Sequence, residues 1–215
     1  MKRQVPLTNG AIHHVYSKSI SHFQIFNTPV EYERFILLLQ YYQFSRLKLS
    51  FSKFIRWTVT NNIPFAQAVT EAAKETSPSV DILAYCLMPT HFHLILSQTI
   101  NNGIERFISK VCSSYSHYFN LRHNRKGPLW QNRFGNSRIN NHQELLETSR
   151  YVHLNPATSY LVDRAENWVY SSFREYTRII DPQFPCICHT KNILDSTTPE
   201  KYAAFVNNHV ETQRA

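Results

Sequence analysis

The sequence of 215 residues has no apolar run near the roughly 20 residues that a membrane-spanning helix requires. Residues 1–20 also lack the apolar core and the small-residue cleavage site of a signal peptide. The cysteines are Cys86, Cys112, Cys186 and Cys188. They are few and irregularly spaced, which indicates reduced thiols rather than a disulfide framework. We therefore expect a soluble, cytoplasmic protein that does not associate with membranes.

Acidic residues are also scarce relative to basic ones. Lysine and arginine together number 23, whereas aspartate and glutamate number 15, so the formal net charge is +8. Such a charge favours a polyanionic partner, and nucleic acid is the leading candidate. The length suits one domain with a sizeable core, although it would also permit two small domains.

The most informative feature is a pair of histidines one residue apart within an apolar run. Pro89 disfavours a helix here, so the pattern predicts a strand over residues 81–87, a short turn, and a second strand over residues 92–97. Alternation along a strand would place His91 and His93 on one face, where they could chelate a cation. Two hydrogen-bonded sheet histidines are the alternative, and an isolated His-x-His pair would favour that interpretation.

A second segment supports the metal interpretation. A helix is predicted from about Asn141 to Asn155, because Pro156 should end it. Residues four apart share a helical face, so Glu147, Tyr151 and Asn155 form one polar stripe. If the stripe faces the histidines, Asn155 supplies a third, oxygen ligand and Tyr151 a nucleophile. Taken alone, Tyr151 would be a half-buried aromatic residue.

Four sequence blocks follow one another in a specific order. They are His-Phe-His at 91–93, Gly-Pro-Leu-Trp-Gln-Asn-Arg-Phe at 127–134, Tyr-Val-His-Leu-Asn-Pro at 151–156 and Trp-Val-Tyr-Ser-Ser-Phe at 168–173. In this order they resemble the motifs of REP-associated tyrosine transposases, which are HUH endonucleases. The resemblance extends over about residues 5–180, with weaker similarity towards the C-terminus.

The resemblance implies a metal-dependent endonuclease and strand transferase, a transposase that acts on single-stranded, hairpin-associated DNA. Tyr151 would form a 5′-phosphotyrosine and leave a free 3′-hydroxyl; Tyr115 and Tyr118 are the next candidates for the nucleophile. A phenol has an unperturbed pKa of about 10 and is a poor nucleophile unless a cation or base assists it. The mixed nitrogen and oxygen ligands of His91, His93 and Asn155 suit Mg²⁺ or Mn²⁺, and Mg²⁺ is the more abundant in cells.

The chain departs from the family pattern at two places. Thr90 stands where the family usually has Asn before the first histidine, and Lys18-Ser19 stands where it has Arg-Gly. Neither change removes a proposed ligand or nucleophile. The lost glycine could matter for close approach of the backbone to DNA, so this change concerns substrate binding rather than chemistry.

Basic residues predict where DNA would lie. Residues 103–138 carry seven cations against one acid, Glu105, which favours phosphate contact over a merely solvated surface. The predicted DNA-binding residues are Lys18, Arg106, Lys110, Arg122, Arg125, Lys126, Trp130, Arg133 and Arg138. Trp130 is either a core anchor or a base-stacking group, and the pattern favours the core.

A segment at residues 44–79 is predicted to be a basic, aromatic insertion, and no acid occurs between Arg34 and Thr70. Its cations and aromatic residues are Arg46, Lys48, Lys53, Arg56, Phe44, Phe51, Phe54 and Trp57. Cations could neutralise phosphates while aromatic rings stack on unpaired bases. Equally, the aromatic residues could simply pack on the body of the protein.

The predicted order of elements is strand, helix, strand, strand, helix, strand, helix. The first strand, at residues 12–17, is expected in the centre of the sheet, and residues 129–134 are expected to form an edge strand. Helices are expected from Pro29 to Tyr42 and over about residues 104–123. This order fits an α+β fold, a ferredoxin-like sandwich with a central antiparallel sheet and helices mainly on one face.

The catalytic domain is expected within residues 1–180, as a monomer or homodimer, followed by a tail at residues 181–215. The tail contains Cys186-Ile187-Cys188-His189, which could bind zinc but lacks a second ligand pair, so a packed loop is the preferred interpretation. Three other functions stay open: an HUH replication-initiation nickase, a domesticated DNA-binding protein without turnover, and a two-histidine phosphoesterase. The last needs two His-x-Ser/Thr motifs, and the chain offers no such pair.

Overall fold

The fold is taken from a computed structural model, which describes residues 5–44, 47–131, 133–179, 186–210 and 213. Among these residues, no helix is both long enough and apolar enough to cross a membrane. Arg46, one of the cations assigned to the insertion, lies outside the described residues.

Four strands and eight α-helices make up the described part of the chain. In order they are β1 (Ile12–Lys18), α1 (Pro29–Tyr42), α2 (Phe51–Thr60), α3 (Phe65–Ala73), β2 (Val80–Met88), β3 (His91–Gln98), α4 (Gly103–Arg122), β4 (Gly135–Ile139), α5 (His142–Thr158), α6 (Phe173–Tyr176), α7 (Lys191–Leu194) and α8 (Pro199–Asn207). Short 3-10 helices cover Ile20–His22 and Ala165–Asn167.

The strands form one antiparallel sheet in the order β2-β3-β1-β4. The first strand is therefore internal, as predicted. The two strands around the histidine pair are also confirmed, with Met88 paired to His91 across a turn of only two residues. Because this turn is so short, His91 is the first residue of β3.

The edge strand is not where the sequence predicts it. The regular strand is Gly135–Ile139 rather than residues 129–134, and the earlier segment contributes an isolated antiparallel bridge from Trp130 to Ser19. Leu129 is 1% exposed, and the indole Nε1 of Trp130 donates a hydrogen bond to the Cys112 carbonyl at 3.1 Å. Regular pairing starts at Gly135, where a Cβ atom would lie 2.3 Å from Cζ of Tyr16.

Alternation along β3 divides the core into two layers. Phe92, Leu94 and Leu96 pack in the cluster that includes α1 to α4, whereas Ile95 packs in the cluster formed by α5, α6 and α8. The predicted α+β class with a central antiparallel sheet is confirmed. Helices α1 to α4 pack on one face, and the described C-terminal helices join α5 on the other, so the described helices do not lie mainly on one face as predicted.

Helix α5 begins where the sequence predicts but ends later. Asn141 caps it, since its side-chain oxygen accepts a hydrogen bond from the Glu144 backbone N–H at 2.8 Å. The prediction that the helix ends at or close to Pro156 holds to within two residues, because the helix runs on to Thr158. Proline has a helix-compatible φ, and near the C-terminus its missing N–H costs only the bond to the carbonyl of Val152.

A buried histidine joins α5 to the C-terminal segment. The ring nitrogens of His153 bond to the Tyr202 hydroxyl at 2.7 Å and the Ser172 hydroxyl at 2.8 Å. Burial lowers the pKa of His153 to about 3, so the imidazole is neutral in the fold. His153, the histidine of the sequence block at residues 151–156, is therefore structural, and the described part of the predicted tail packs on α5.

The other C-terminal predictions concern packing. Trp168 packs back on the body as expected, and its indole N–H donates to the Leu87 carbonyl at 2.9 Å. In the Cys-x-Cys-His segment, the backbone N–H groups of Ile187 and Cys188 donate to the Glu175 carboxylate at 2.9 and 2.8 Å. These contacts tie the segment to α6, as the packed-loop interpretation requires.

Candidate active site

The two histidines of β3 project on the sheet face that α5 covers. Their ring centroids lie 5.1 Å apart, and His93 is 5% exposed. The prediction that His91 and His93 share one face is confirmed. The intervening Phe92 is fully buried in the opposite layer, which fixes the direction of both imidazoles.

Both imidazoles are held in the neutral form. Burial lowers the pKa of His91 to about 4, with a smaller effect from the Lys18 ammonium group. Burial also holds the pKa of His93 well below its usual range, reinforced by His14 and His91. A neutral imidazole has a lone pair that can bind a metal ion. At neutral pH, neither His91 nor His93 would therefore have to be deprotonated before binding one.

The ring nitrogens of the two histidines have matching roles. Nδ1 of His91 bonds to the Thr90 hydroxyl at 3.0 Å, and Nδ1 of His93 bonds to Nε2 of His14 at 2.9 Å. With each Nδ1 bonded in this way, the Nε2 atom of each ring is the nitrogen that could bind a cation. Metal-binding histidines usually bond through their other nitrogen to a neighbouring group, so the donor set fits a divalent cation.

Tyr151 lies on α5 directly above this pair. Its ring centroid is 5.6 Å from that of His93 and 5.9 Å from that of His14, and both contacts are edge-on. The side chain is 41% exposed, so its hydroxyl is open to a large substrate. The structure thus brings Tyr151 of the helix to His93 of the strand, which is the condition that the sequence analysis set for a shared site.

The third ligand position has two candidates on α5. Asn155 is 8% exposed, and its amide N–H donates to the Tyr151 carbonyl at 2.8 Å, which leaves Oδ1 available. Glu147, one turn before Tyr151, is exposed and accepts a hydrogen bond from Gln143 at 2.8 Å. In the described ranges no three His, Cys, Asp or Glu side chains are grouped to hold a metal ion.

Strand β1 adds two residues that the sequence alone did not identify. His14 stacks on His93 with centroids 5.1 Å apart, and Tyr16 lies 6.1 Å from His93. Alternation in β1 shows that these two share a face, but only the pairing of Tyr16 with His93 places that face beside the histidines. Tyr115, a candidate nucleophile from sequence, is buried in the opposite layer.

The nine predicted DNA-binding residues do not form a single surface. Lys18 pairs with His91 and lies at the site. The start of α4 is anchored at the far end of β3, where the Ile104 N–H donates to the Gln98 side chain at 3.2 Å. A strand rises about 3.3 Å per residue, so this end lies about 23 Å from His91. Arg106 and Lys110 are therefore remote from the histidines.

The remaining cations occupy other positions. Arg122 and Arg125 are at the end of α4, where Arg122 lies 3.6 Å from Glu31 and Arg125 donates to the Pro128 carbonyl at 3.0 Å. Lys126 follows them, and exposed Arg133 precedes β4. Arg138 pairs with His13, so it projects on the face opposite to the two site histidines.

The aromatic residues mostly belong to the core. Trp130 packs against Phe92 with ring centroids 5.3 Å apart, which is the core alternative that the sequence favoured. In the insertion, Phe51 and Phe54 are buried against Tyr41. Trp57, also on α2, is 43% exposed. A base could therefore reach its ring.

The serine at the family's glycine position fits without strain. Ser19 has φ −67° and ψ 157°, an extended conformation that any residue adopts. Its backbone N–H donates to the Thr90 carbonyl at 2.9 Å, which ties the end of β1 to the turn before His91. The backbone here therefore does not need glycine.

Comparison with known proteins finds a matching family model and a similar fold. Residues 51–155 match the family model for IS200-like transposases, and the matched segment contains His91, His93, Tyr151 and Asn155. A solved structure of a REP-associated tyrosine transposase bound to a REP hairpin is similar over 86% of this chain and 90% of that chain, with a TM-score of 0.50 and 16% sequence identity. That likeness shows a shared fold. A comparison with curated proteins finds no match.

Proposed function

We propose, on the premise that this chain is an IS200-like transposase, that it cleaves and rejoins single-stranded DNA beside hairpins. Tyr151 would be the nucleophile, and His91, His93 and Asn155 would bind Mg²⁺ or Mn²⁺. The observation that carries the proposal is the exposed phenol of Tyr151 with its ring 5.6 Å from that of His93. This proximity supports a site in which the nucleophile and a pair of neutral imidazoles would face one substrate position.

The reaction would proceed by in-line displacement at phosphorus. The Tyr151 oxygen bonds to phosphorus while the bond from phosphorus to the 3′-oxygen breaks. The phenolic proton passes to solvent, and the departing 3′-oxygen takes up a proton to become a hydroxyl. The resulting 5′-phosphotyrosine keeps the ester bond energy, so the 3′-hydroxyl of another strand end can reverse the step without ATP.

The protein's own residues would orient the scissile phosphate. His91 and His93 would hold the cation through Nε2 and Asn155 through Oδ1, since their other nitrogen atoms are already bonded. When bound, a divalent cation polarises a phosphoryl oxygen. Lys18, paired with His91, would contact a neighbouring phosphate. The fold-level likeness to a hairpin-bound transposase supports a hairpin as the substrate.

A panel of single-stranded hairpins tests the proposal. Each would be incubated with the protein and Mn²⁺ or Mg²⁺ and then separated by denaturing electrophoresis. We expect a covalent protein–DNA adduct that EDTA abolishes and that a blunt duplex of the same sequence does not form. Tight hairpin binding with no adduct in either metal would instead support the domesticated, non-catalytic alternative.

Substitutions of Asn155 test whether it is the third metal ligand. Asn155→Ala should reduce cleavage at limiting metal and recover partly at higher metal, because an amide is a weaker ligand than imidazole and water can replace it. Asn155→Asp should bind metal at least as tightly but lower the melting temperature, because a carboxylate cannot donate to the Tyr151 carbonyl. Cleavage rates across a Mn²⁺ titration measure the effect on metal binding, and thermal unfolding measures the change in melting temperature.

Glu147→Ala is the matched comparison for Asn155→Ala, one turn apart on either side of Tyr151. It should cleave at the wild-type rate throughout the titration. If Glu147→Ala is inactive while Asn155→Ala equals wild type at limiting metal, the third ligand is Glu147 and our assignment is wrong.

DNA affinity should fall steeply with salt. Each neutralised phosphate of a single strand contributes about 0.7 to the slope of log affinity against log salt. Lys18→Gln should lower the slope by about one such contact, whereas Lys74→Gln should not, because the Lys74 ammonium pairs with Glu71 at 2.6 Å on the insertion. Fluorescence anisotropy of a labelled hairpin between low and physiological salt measures this, and an affinity independent of salt would contradict the phosphate contacts.

A further inference from the structure

We propose that His14 is a positioning residue that holds the His93 imidazole with its Nε2 atom turned toward the metal position. This inference rests on the proposed function, because it gives His93 the role of a ligand. It adds a residue from β1, outside the segment that matches the transposase family model. His14 itself would touch neither the cation nor the DNA.

The pairing of β1 with β3 brings His14 into contact with His93. Pairing of β1 with β3 sets Tyr16 opposite His93 and His14 opposite Ile95, so His14 is the diagonal neighbour of His93 on the same face. The two rings stack with centroids 5.1 Å apart at an interplanar angle of 19°. Nε2 of His14 meets Nδ1 of His93 at 2.9 Å. Because β1 is an internal strand, paired on both sides, His14 has little freedom to move away.

The contact with His14 determines which ring nitrogen of His93 carries the proton. Two neutral imidazoles share one proton across such a bond, so one nitrogen donates and the other accepts. If His93 donates from Nδ1, its Nε2 carries a lone pair and can bind a metal ion. If His14 donates instead, His93 carries its proton on Nε2 and cannot bind there. Ligation through Nε2 therefore requires His14 to be the acceptor.

The neighbouring ligand shows the same arrangement with a different partner. Nδ1 of His91 meets the Thr90 hydroxyl at 3.0 Å, so each site histidine has its Nδ1 occupied by one side chain. Partners of this kind fix the tautomer and orientation of a metal-binding imidazole. His14 is not grouped with His91 and His93 as a three-ligand metal site within the described ranges, which separates the positioning role from direct ligation.

Variants of His14 can separate hydrogen bonding from packing. His14→Phe keeps a flat ring for stacking but removes the acceptor. His14→Gln keeps an acceptor, because its side-chain oxygen can accept a hydrogen bond from the Nδ1–H group of His93. His117→Phe, at an exposed position on α4, is the matched control for replacing a histidine elsewhere. Circular dichroism and melting temperature would verify that each variant folds.

The test uses the full chain without DNA. Nitrogen-15 spectra of the imidazoles in the metal-free protein give the tautomer of His93, and electron paramagnetic resonance titrations with Mn²⁺ give the affinity. We expect the proton on Nδ1 in wild type and His14→Gln, and a substantial Nε2–H population in His14→Phe. The Mn²⁺ affinity of His14→Phe should fall by about 10- to 100-fold, as for other lost partners of a metal ligand. His14→Gln should recover most of that loss, and His117→Phe should equal wild type.

Three results would overturn the inference: a wild-type His93 protonated on Nε2, an unchanged Mn²⁺ affinity in His14→Phe, or hyperfine coupling that shows a His14 nitrogen bound to Mn²⁺. The wild-type spectrum decides the proton position even if the variants fail to fold. Because these readouts need no DNA, they separate this inference from the nuclease proposal. A protein that binds Mn²⁺ as expected but never forms a DNA adduct would sustain the His14 role and refute the proposed function.

Discussion

Tyr151→Phe should abolish DNA cleavage and adduct formation while leaving hairpin affinity close to that of wild type. The substitution removes one hydroxyl, and the ring keeps its edge-on contacts with His93 and His14. Loss of a nucleophile typically lowers the rate by about four orders of magnitude or more. Denaturing electrophoresis measures cleavage, and anisotropy with the same labelled hairpin measures binding.

The matched control is Tyr160→Phe, at an exposed position two residues beyond the end of α5. It should cleave like wild type, since its ring is outside the site. Cleavage by Tyr151→Phe near the wild-type rate would move the nucleophile elsewhere. Tyr16 would then be the candidate, because its ring lies 6.1 Å from His93 and is 37% exposed, whereas Tyr115 is buried in the other layer.

His91→Ala and His93→Ala should each lose most of the metal-dependent cleavage. Removing one imidazole would leave two protein ligands, so the cation would be weakly held and poorly oriented. The fall in Mn²⁺ affinity should be larger than the fall of about 10- to 100-fold that we expect when a hydrogen-bond partner such as His14 is removed. Cleavage rates over a Mn²⁺ titration, together with Mn²⁺ affinity, measure the effect.

The two histidines should differ in their effect on stability. His93 is 5% exposed and hydrogen-bonded to His14, so His93→Ala should lower the melting temperature more than His91→Ala. His117→Ala, on the exposed side of α4, controls for the loss of a histidine and should retain activity. Either site variant cleaving at the wild-type rate in limiting metal would show that its imidazole is not a ligand.

These outcomes also separate the alternatives. A domesticated DNA-binding protein would bind hairpins with the same salt dependence, yet neither Tyr151→Phe nor His93→Ala would change any activity, because there would be none to lose. A replication-initiation nickase would form the same adduct. Its preferred substrate would differ, so comparison of hairpin ends with internal nicking sites would distinguish it from a transposase.

Local sequence patterns determined the features that depend only on residues close together in the sequence, namely which side chains share a face and where α5 begins. Two histidines one residue apart in an alternating strand had to share a face, and residues four apart on α5 had to form one stripe. The cap at Asn141 set the start of that helix. The motif blocks were also sufficient to predict the family and the α+β fold class.

Contacts between distant segments decided the rest. The register of β1 against β3 brought His14 and Tyr16 to His93, and nothing in the alternation of either strand fixes that register. The anchoring of α4 at Gln98 carried Arg106 away from the site, although the sequence showed only a basic stretch. The segment predicted as the edge strand buries Leu129 and contributes an isolated antiparallel bridge from Trp130 to Ser19, and the regular edge strand begins at Gly135. The periodicity of the sequence indicates which face of a helix or strand is buried. Which other element packs against that face depends on the packing of the whole core.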